Sequence, residues 1–272
     1  MKILVTNDDG IDSVGLHVLA RAMRPHGEVV IVAPDREFSG SGASIGSLLE
    51  MTPEVHTSSV EGIETTWTVS GPPALCVMFA TLGAFGERPD LVVSGINPGN
   101  NVGRSIYHSG TVGACTTARS SGLTGLAVSQ SVTGWGIEGQ GWDEMLEHQK
   151  WDSAAEIASV VVAGLIADPP EEPLVINLNV PNSDMDGILG WRRTSVASSP
   201  PRSMSKVSLE PKKGHDGSYR VRMEWGEPTE VPGNHDSNTV MAGFVSITSL
   251  SRMAESDDDL SAAESRLETL LS

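Results

Sequence analysis

Five short runs of aliphatic and β-branched residues, spread over the first ~180 positions with helix-like stretches between them, limit the folds open to this chain. They are Lys2-Ile3-Leu4-Val5-Thr6, Val29-Val30-Ile31-Val32-Ala33, Leu91-Val92-Val93-Ser94, Leu126-Ala127-Val128-Ser129 and Pro173-Leu174-Val175-Ile176-Asn177-Leu178. Near-continuous apolar runs of this length suit strands covered on both faces, as in a parallel sheet. Between the first two, Leu16, Leu19, Ala20 and Met23 recur at helical spacing, and Pro25-His26-Gly27 ends that helix. A second long helix is expected from Asp152 to Ala167, with Asp152 or Ser153 as its cap and Pro169-Pro170 beyond its end. Alternating strands and helices predict an α/β fold with a mostly parallel sheet and helices on both sides.

After about residue 185 short β-like runs such as Tyr219-Arg220-Val221-Arg222-Met223 alternate with Gly, Pro and Ser clusters. The reading is a core over 1–185 and a hairpin-rich appendage over 186–272, within which Val196 to Lys213 is expected as an exposed loop or arm. Leu260, Ala263, Leu267, Leu270 and Leu271 form an amphipathic stripe behind Asp257-Asp258-Asp259, acids that suit a helix N-terminus. The net charge of −17 argues against a partner that is duplex nucleic acid, because phosphate neutralisation needs clustered Lys and Arg. Cys76 and Cys115 are the only cysteines, too few for a disulfide framework or a Cys-based zinc site, and their apolar contexts predict buried free thiols. Asp8 and Asp9 interrupt the first apolar run before a signal-peptide core can form, and no stretch is long enough to span a membrane, so a cytoplasmic protein without membrane contact is expected.

Chemistry enters where the strands stop. Three of the apolar runs end in oxygen-bearing side chains: Asn7-Asp8-Asp9, then Asp35 and Ser39, then Asn97 with Asn100 and Asn101. In an open parallel sheet the carboxyl ends of strands line the ligand crevice, so these groups are expected to converge. Two adjacent carboxylates with a hydroxyl and an amide carbonyl form a hard oxygen set that suits Mg²⁺ or Mn²⁺ rather than zinc. Further on, Ser109-Gly110-Thr111 precedes a run of small residues and reads as a helix N-terminus, either plainly capped by Ser109 or holding an anion on free N–H groups.

Four blocks resemble the SurE family of survival-protein nucleotidases: Val5-Thr6-Asn7-Asp8-Asp9-Gly10-Ile11, Val32-Ala33-Pro34-Asp35-Arg36-Glu37-Phe38-Ser39-Gly40, Val93-Ser94-Gly95-Ile96-Asn97-Pro98-Gly99-Asn100-Asn101-Val102-Gly103, and Tyr107-His108-Ser109-Gly110-Thr111-Val112-Gly113-Ala114. Weaker agreement returns at Asp236 and over Gly243 to Leu250. The resemblance implies a Rossmann-like core and metal-dependent hydrolysis of nucleoside 5′- and 3′-monophosphates by metal-activated water. It implies one divalent ion, Mg²⁺ or Mn²⁺, on Asp8, Asp9, Ser39 and Asn97, and phosphate on Asn101, Ser109, Gly110 and Thr111. Asp8, Asp9, Asn101 and Ser109 would then be the catalytic group. A homodimer or homotetramer built partly by exchange of C-terminal segments is implied as well.

Ala43 stands where the family often has His, and Leu75 where it commonly has an acid, which leaves the expected metal set intact but bears on substrate preference. Ser41 competes with Ser39 as the hydroxyl ligand, since both precede Gly. His108 and His235 adjoin the matched blocks and are secondary candidates. Two other readings are a non-catalytic nucleotide or metal sensor on the same fold, and a phosphatase in which Asp8 is a covalent nucleophile. Asn7 weakens the second, because it stands where an Asp-x-Asp pair would need its first acid.

Overall fold

The computed structural model describes residues 1–46, 52–133, 146–198, 204–226, 233–252 and 259–271. In chain order the elements are β1 (Lys2–Thr6), α1 (Val14–Met23), β2 (Glu28–Pro34), β3 (Val55–Thr57), β4 (Thr65–Val69), α2 (Pro73–Thr81), β5 (Leu91–Pro98), α3 (Gly110–Ser120), β6 (Thr124–Gln130), α4 (Trp151–Ala167), β7 (Val175–Val180), β8 (Trp191–Arg193), β9 (Met204–Pro211), β10 (Tyr219–Trp225), α5 (Asp236–Met241), β11 (Val245–Leu250) and α6 (Ser261–Leu271). The main sheet has the order β3-β4-β2-β1-β5-β6-β7-β11-β8. From β4 to β7 every neighbouring pair is parallel, whereas β3 and β11 pair antiparallel with β4 and β7.

The two-residue period of the strands divides the core. Ile3 and Val5 face the side covered by α1 and α4, where Leu16, Leu19, Ala20 and Met23 meet Ala154, Ala155, Ala158 and Val162. Leu4, Val30, Val32 and Val92 face the other side, against Leu75, Cys76 and Val77 of α2 and Ala114 and Ala118 of α3. Both thiols are free and buried, and burial pushes them above the ordinary cysteine range. All five apolar runs are strands of this one sheet, as their composition predicts.

Two local expectations need correction. The long helix starts at Trp151 with Lys150 as its N-cap and no side-chain cap, and Asn182 Oδ1 accepts the Lys150 N–H at 2.9 Å instead. The exposed arm is in part a strand: β9 pairs antiparallel with β10 in a separate two-stranded ribbon. Beyond residue 185, β11 joins the main sheet beside β7, and β8 pairs with β11 at its edge. Asp257 and Asp258 lie outside the described residues, while Asp259 Oδ1 accepts the Ser261 N–H at 2.9 Å before α6. Among the described residues, no helix is long and apolar enough to cross a membrane.

Candidate active site

β1 sits at the point where the strand order reverses, with β2 and β4 to one side and β5, β6 and β7 to the other. Backbone carbonyls there diverge and open a crevice at the carboxyl ends of the strands. Asp8 and Asp9 follow β1, the loop carrying Ser39 and Ser41 follows β2, and Asn97 lies in the last turn of β5. The loop after β2 is tied down at both ends of its first turn: Phe38 N–H donates to Asp8 O at 2.7 Å, and Gly42 N–H donates to His108 O at 3.0 Å. A Cβ on Gly113 would stand 2.1 Å from the Gly42 carbonyl oxygen, so only a glycine lets α3 take this loop so closely.

The two carboxylates are held differently. Asp8 is buried, and Thr111 Oγ1 donates to its Oδ1 at 2.6 Å. Burial raises its pKa, opposed by that hydroxyl and by backbone N–H groups of Asp8, Thr111 and Gly110. Asp9 has a buried Oδ2 with no partner among the described residues. Burial, then the charges of Asp8 and Glu37, hold its carboxyl well above the ordinary range. Burial is the main cause in both, and for Asp9 the neighbouring charges of Asp8 and Glu37 add to it.

The two serines part company. Ser39 is exposed, whereas Ser41 Oγ is buried and has no partner among the described residues. A Cβ on Gly110 would lie 2.8 Å from Asp8 Oδ2 and 2.9 Å from Ser41 Oγ, which places that hydroxyl beside the carboxylate. Asn97 uses its Nδ2 on Gly99 O at 2.6 Å and so leaves its carbonyl oxygen for a ligand. Asp35 is exposed and paired with Arg36 at 3.2 Å.

At the head of α3, Ser109 Oγ accepts the Val112 N–H at 3.1 Å, a normal N-cap whose hydroxyl proton is still available. The positive end of this helix faces Asp8, because the Gly110 and Thr111 backbone and the Thr111 hydroxyl all bear on that carboxylate. Thr111 thus holds a carboxylate of the expected cation site. Of the two histidines, His108 is exposed and contributes its backbone carbonyl, and His235 Nδ1 meets Ser195 Oγ at 2.9 Å. No group of three or more His, Cys, Asp and Glu is positioned for a metal among the described residues, so two carboxylates and neutral oxygens are the available donors.

Three residues outside the expected set complete the wall. Asn177 and Asn179 of β7 reach the Asn101 backbone, and Asp236 from the C-terminal segment accepts N–H groups of Gly103, Ala197 and Ser237 at 2.9, 3.0 and 2.8 Å. All three are fully buried polar side chains. In the sequence the only trace of this was polarity inside a strand and an acid in a weakly matched block, neither of which names a partner.

The model of the family described as survival protein SurE matches residues 3–202. A 5′-nucleotidase SurE of Xanthomonas axonopodis pv. citri (strain 306) is 35% identical over 251 residues, 91% of this chain and 88% of the relative. A 5′/3′-nucleotidase SurE of Erwinia tasmaniensis is 32% identical over 254 residues, 92% of this chain and 90% of that one. The crystal structure of the SurE protein from Aquifex aeolicus superimposes with a TM-score of 0.75 at 27% identity, covering 98% of this chain and all of that one.

Proposed function

The chain belongs to the survival protein SurE family, and from that premise we propose that it hydrolyses nucleoside 5′- and 3′-monophosphates to nucleoside and phosphate with one divalent cation, Mg²⁺ or Mn²⁺. The observation that carries this reading is the pair of adjacent carboxylates at the strand-order reversal, Asp8 buried and Asp9 half-buried with its Oδ2 enclosed. The orphaned Asp9 Oδ2 and Ser41 Oγ are hard oxygen donors awaiting a partner, and a small oxophilic cation fits such a set. Asp8, Asp9, the Asn97 carbonyl oxygen and a serine hydroxyl would hold it. When bound, it would supply Lewis-acid polarisation of the phosphoryl group and offset the negative charge that develops there.

The chain's own groups do the rest. Thr111 and the N-terminus of α3 orient Asp8 and favour its ionised form. Ser109 keeps a hydroxyl proton for a phosphoryl oxygen while its lone pair caps the helix. The polar crevice suits an anionic substrate only once the carboxylates are neutralised, which explains why both carboxylates belong to the binding machinery. Soluble homodimers or homotetramers in the cytoplasm complete the proposal.

The test is phosphate release from AMP, GMP and their 3′ isomers by the purified protein, with Mg²⁺, with Mn²⁺ and after chelation. Release that needs the cation is expected. Tight nucleotide binding with no release under any metal would overturn the enzyme reading in favour of a sensor.

A further inference from the structure

Asn101 is gripped from behind. Its backbone N–H donates to Asn179 Oδ1 at 2.8 Å, and its carbonyl accepts from Asn177 Nδ2 at 2.8 Å and Asn179 Nδ2 at 3.1 Å. Asn177 and Asn179 lie two apart on β7 and so share a face of the sheet, and neither is exposed. Buried amides in mid-strand are costly unless they bond, and these two direct three bonds at a single residue.

The side chain of Asn101 is oriented by one close and one longer contact. Its Nδ2 lies 2.9 Å from Ser129 Oγ and 3.5 Å from Thr111 Oγ1. Thr111 has one hydroxyl proton, and it goes to Asp8 Oδ1. Toward Asn101, then, Thr111 offers only a lone pair, and turning the amide over would set oxygen against oxygen. Both amide hydrogens therefore face protein. The remaining atom, Oδ1, has no partner among the described residues and is not among the solvent-excluded atoms. It is an acceptor left open at the crevice. A phosphate monoester is mostly a dianion at neutral pH and has no phosphoryl proton to give it, whereas a water molecule does.

We propose that Asn101 Oδ1 accepts a hydrogen bond from the attacking water and orients it, in place of the donor role toward phosphate, and that Asn179 is the positioning residue that fixes it. The inference rests on the hydrolytic reading above. In the step concerned, the water oxygen forms a bond to phosphorus as the bond from phosphorus to the ribose oxygen breaks. One water proton ends on the ribose oxygen and the other stays with the phosphate product. Asn101 takes neither; it aims a lone pair of the water by holding one of its hydrogens.

Two measurements on the Mn²⁺-loaded protein at neutral pH decide this: calorimetric binding of sulfate, a tetrahedral dianion with no proton to give, and kcat and KM with AMP. Asn101→Ala is expected to lower kcat about 100-fold, the usual scale for losing reactant orientation. KM and sulfate affinity should stay within about threefold, since no donor to the anion is lost. Asn179→Ala should lower kcat about tenfold with the same unmoved sulfate affinity, a split that mere loosening of the fold would not produce. Sulfate affinity that falls about tenfold or more in Asn101→Ala would restore the donor role and overturn the proposal, as would an unchanged kcat. If the wild type hydrolyses no nucleotide the function reading fails on its own, and the sulfate calorimetry on wild type and Asn101→Ala still separates acceptor from donor.

Discussion

At Asp9 stability and function oppose each other. Its carboxyl sits well above the ordinary range in the fold, through burial and the charges of Asp8 and Glu37, but near 3.9 in the unfolded chain. A raised folded pKa stabilises fully below the unfolded value and loses that contribution as pH rises through the folded one. The cation-free protein should therefore lose stability as pH rises from about 4 toward neutrality. Asp9→Asn removes the charge at constant shape, so in chelator at pH 7.5 its Tm should exceed that of the wild type, by about 2–4 °C per kcal/mol recovered. In Mn²⁺ the order should reverse, because a ligand at 100 times its Kd contributes about 2.7 kcal/mol to the wild type alone. Thermal scans with and without Mn²⁺ check this, and a variant stabilised as much by Mn²⁺ as the wild type would remove Asp9 from the cation site. Thr111 belongs to the same argument. A hydrogen bond to a charged group contributes roughly 1.5–3 kcal/mol, and this one goes to Asp8. Thr111→Val should weaken Mn²⁺ about 10- to 100-fold by calorimetry. Unchanged Mn²⁺ affinity with weakened phosphate inhibition would return Thr111 to the phosphate.

At the scale of elements, the site depends on how closely the loop after β2 lies on α3. Gly113 is in the helix, where alanine is ordinarily preferred by about 1 kcal/mol. Its Cβ would nevertheless meet backbone at Gly42 O, Gly42 C and Ala43 N at 2.1, 2.3 and 2.6 Å, and backbone cannot turn aside as a side-chain tip does. Overpacking typically costs about 1–3 kcal/mol, so the clash outweighs the propensity. Gly113→Ala should be less stable than the wild type in urea melts and should lose activity through displacement of Ser41. A stabilised and fully active Gly113→Ala would show that the loop has room to move. The same scale explains what was legible beforehand. Unbroken runs such as Val29 to Ala33 can only be buried strands, and Asp8-Asp9 after such a run marks the crevice. β4, with the sequence Thr65-Thr66-Trp67-Thr68-Val69, carries no such run and escaped notice although it extends the parallel sheet. Asn177 lies within the fifth apolar run and Asn179 just beyond it, and neither carries a signal in the sequence, because their meaning depends on β7 lying beside β6 and under Asn101. The choice between Ser39 and Ser41 is likewise a matter of loop path, which two Ser-Gly steps in a row cannot specify.

For the molecule as a whole, the decisive feature is apolar surface that one copy of the chain leaves uncovered. The β9–β10 ribbon presents Val207, Leu209, Val221 and Met223 to solvent, at 57–62% exposure. A two-stranded ribbon is marginal in water by itself and needs something packed on its apolar face. In α6, Leu267, Leu270 and Leu271 are exposed too, and no residue of that helix is buried. Helices this short hold their shape through tertiary packing of one apolar stripe, and among the described residues of a single copy nothing buries this one. An acidic chain with a net charge of −17 repels its own kind, so any self-association would come from such patches rather than from general stickiness. Light scattering should give a mass of two or more times 28.7 kDa. Truncation after Leu250 removes α6 while leaving β11 paired with β7 and β8, and it should lower that mass and the phosphate-releasing activity together. Leu209→Lys with Val221→Lys should lower the mass while sparing the sheet, because the ribbon shares no strand with it. A 28.7 kDa particle for the intact chain, or a truncated chain with mass per subunit count and turnover unchanged, would refute assembly through these surfaces.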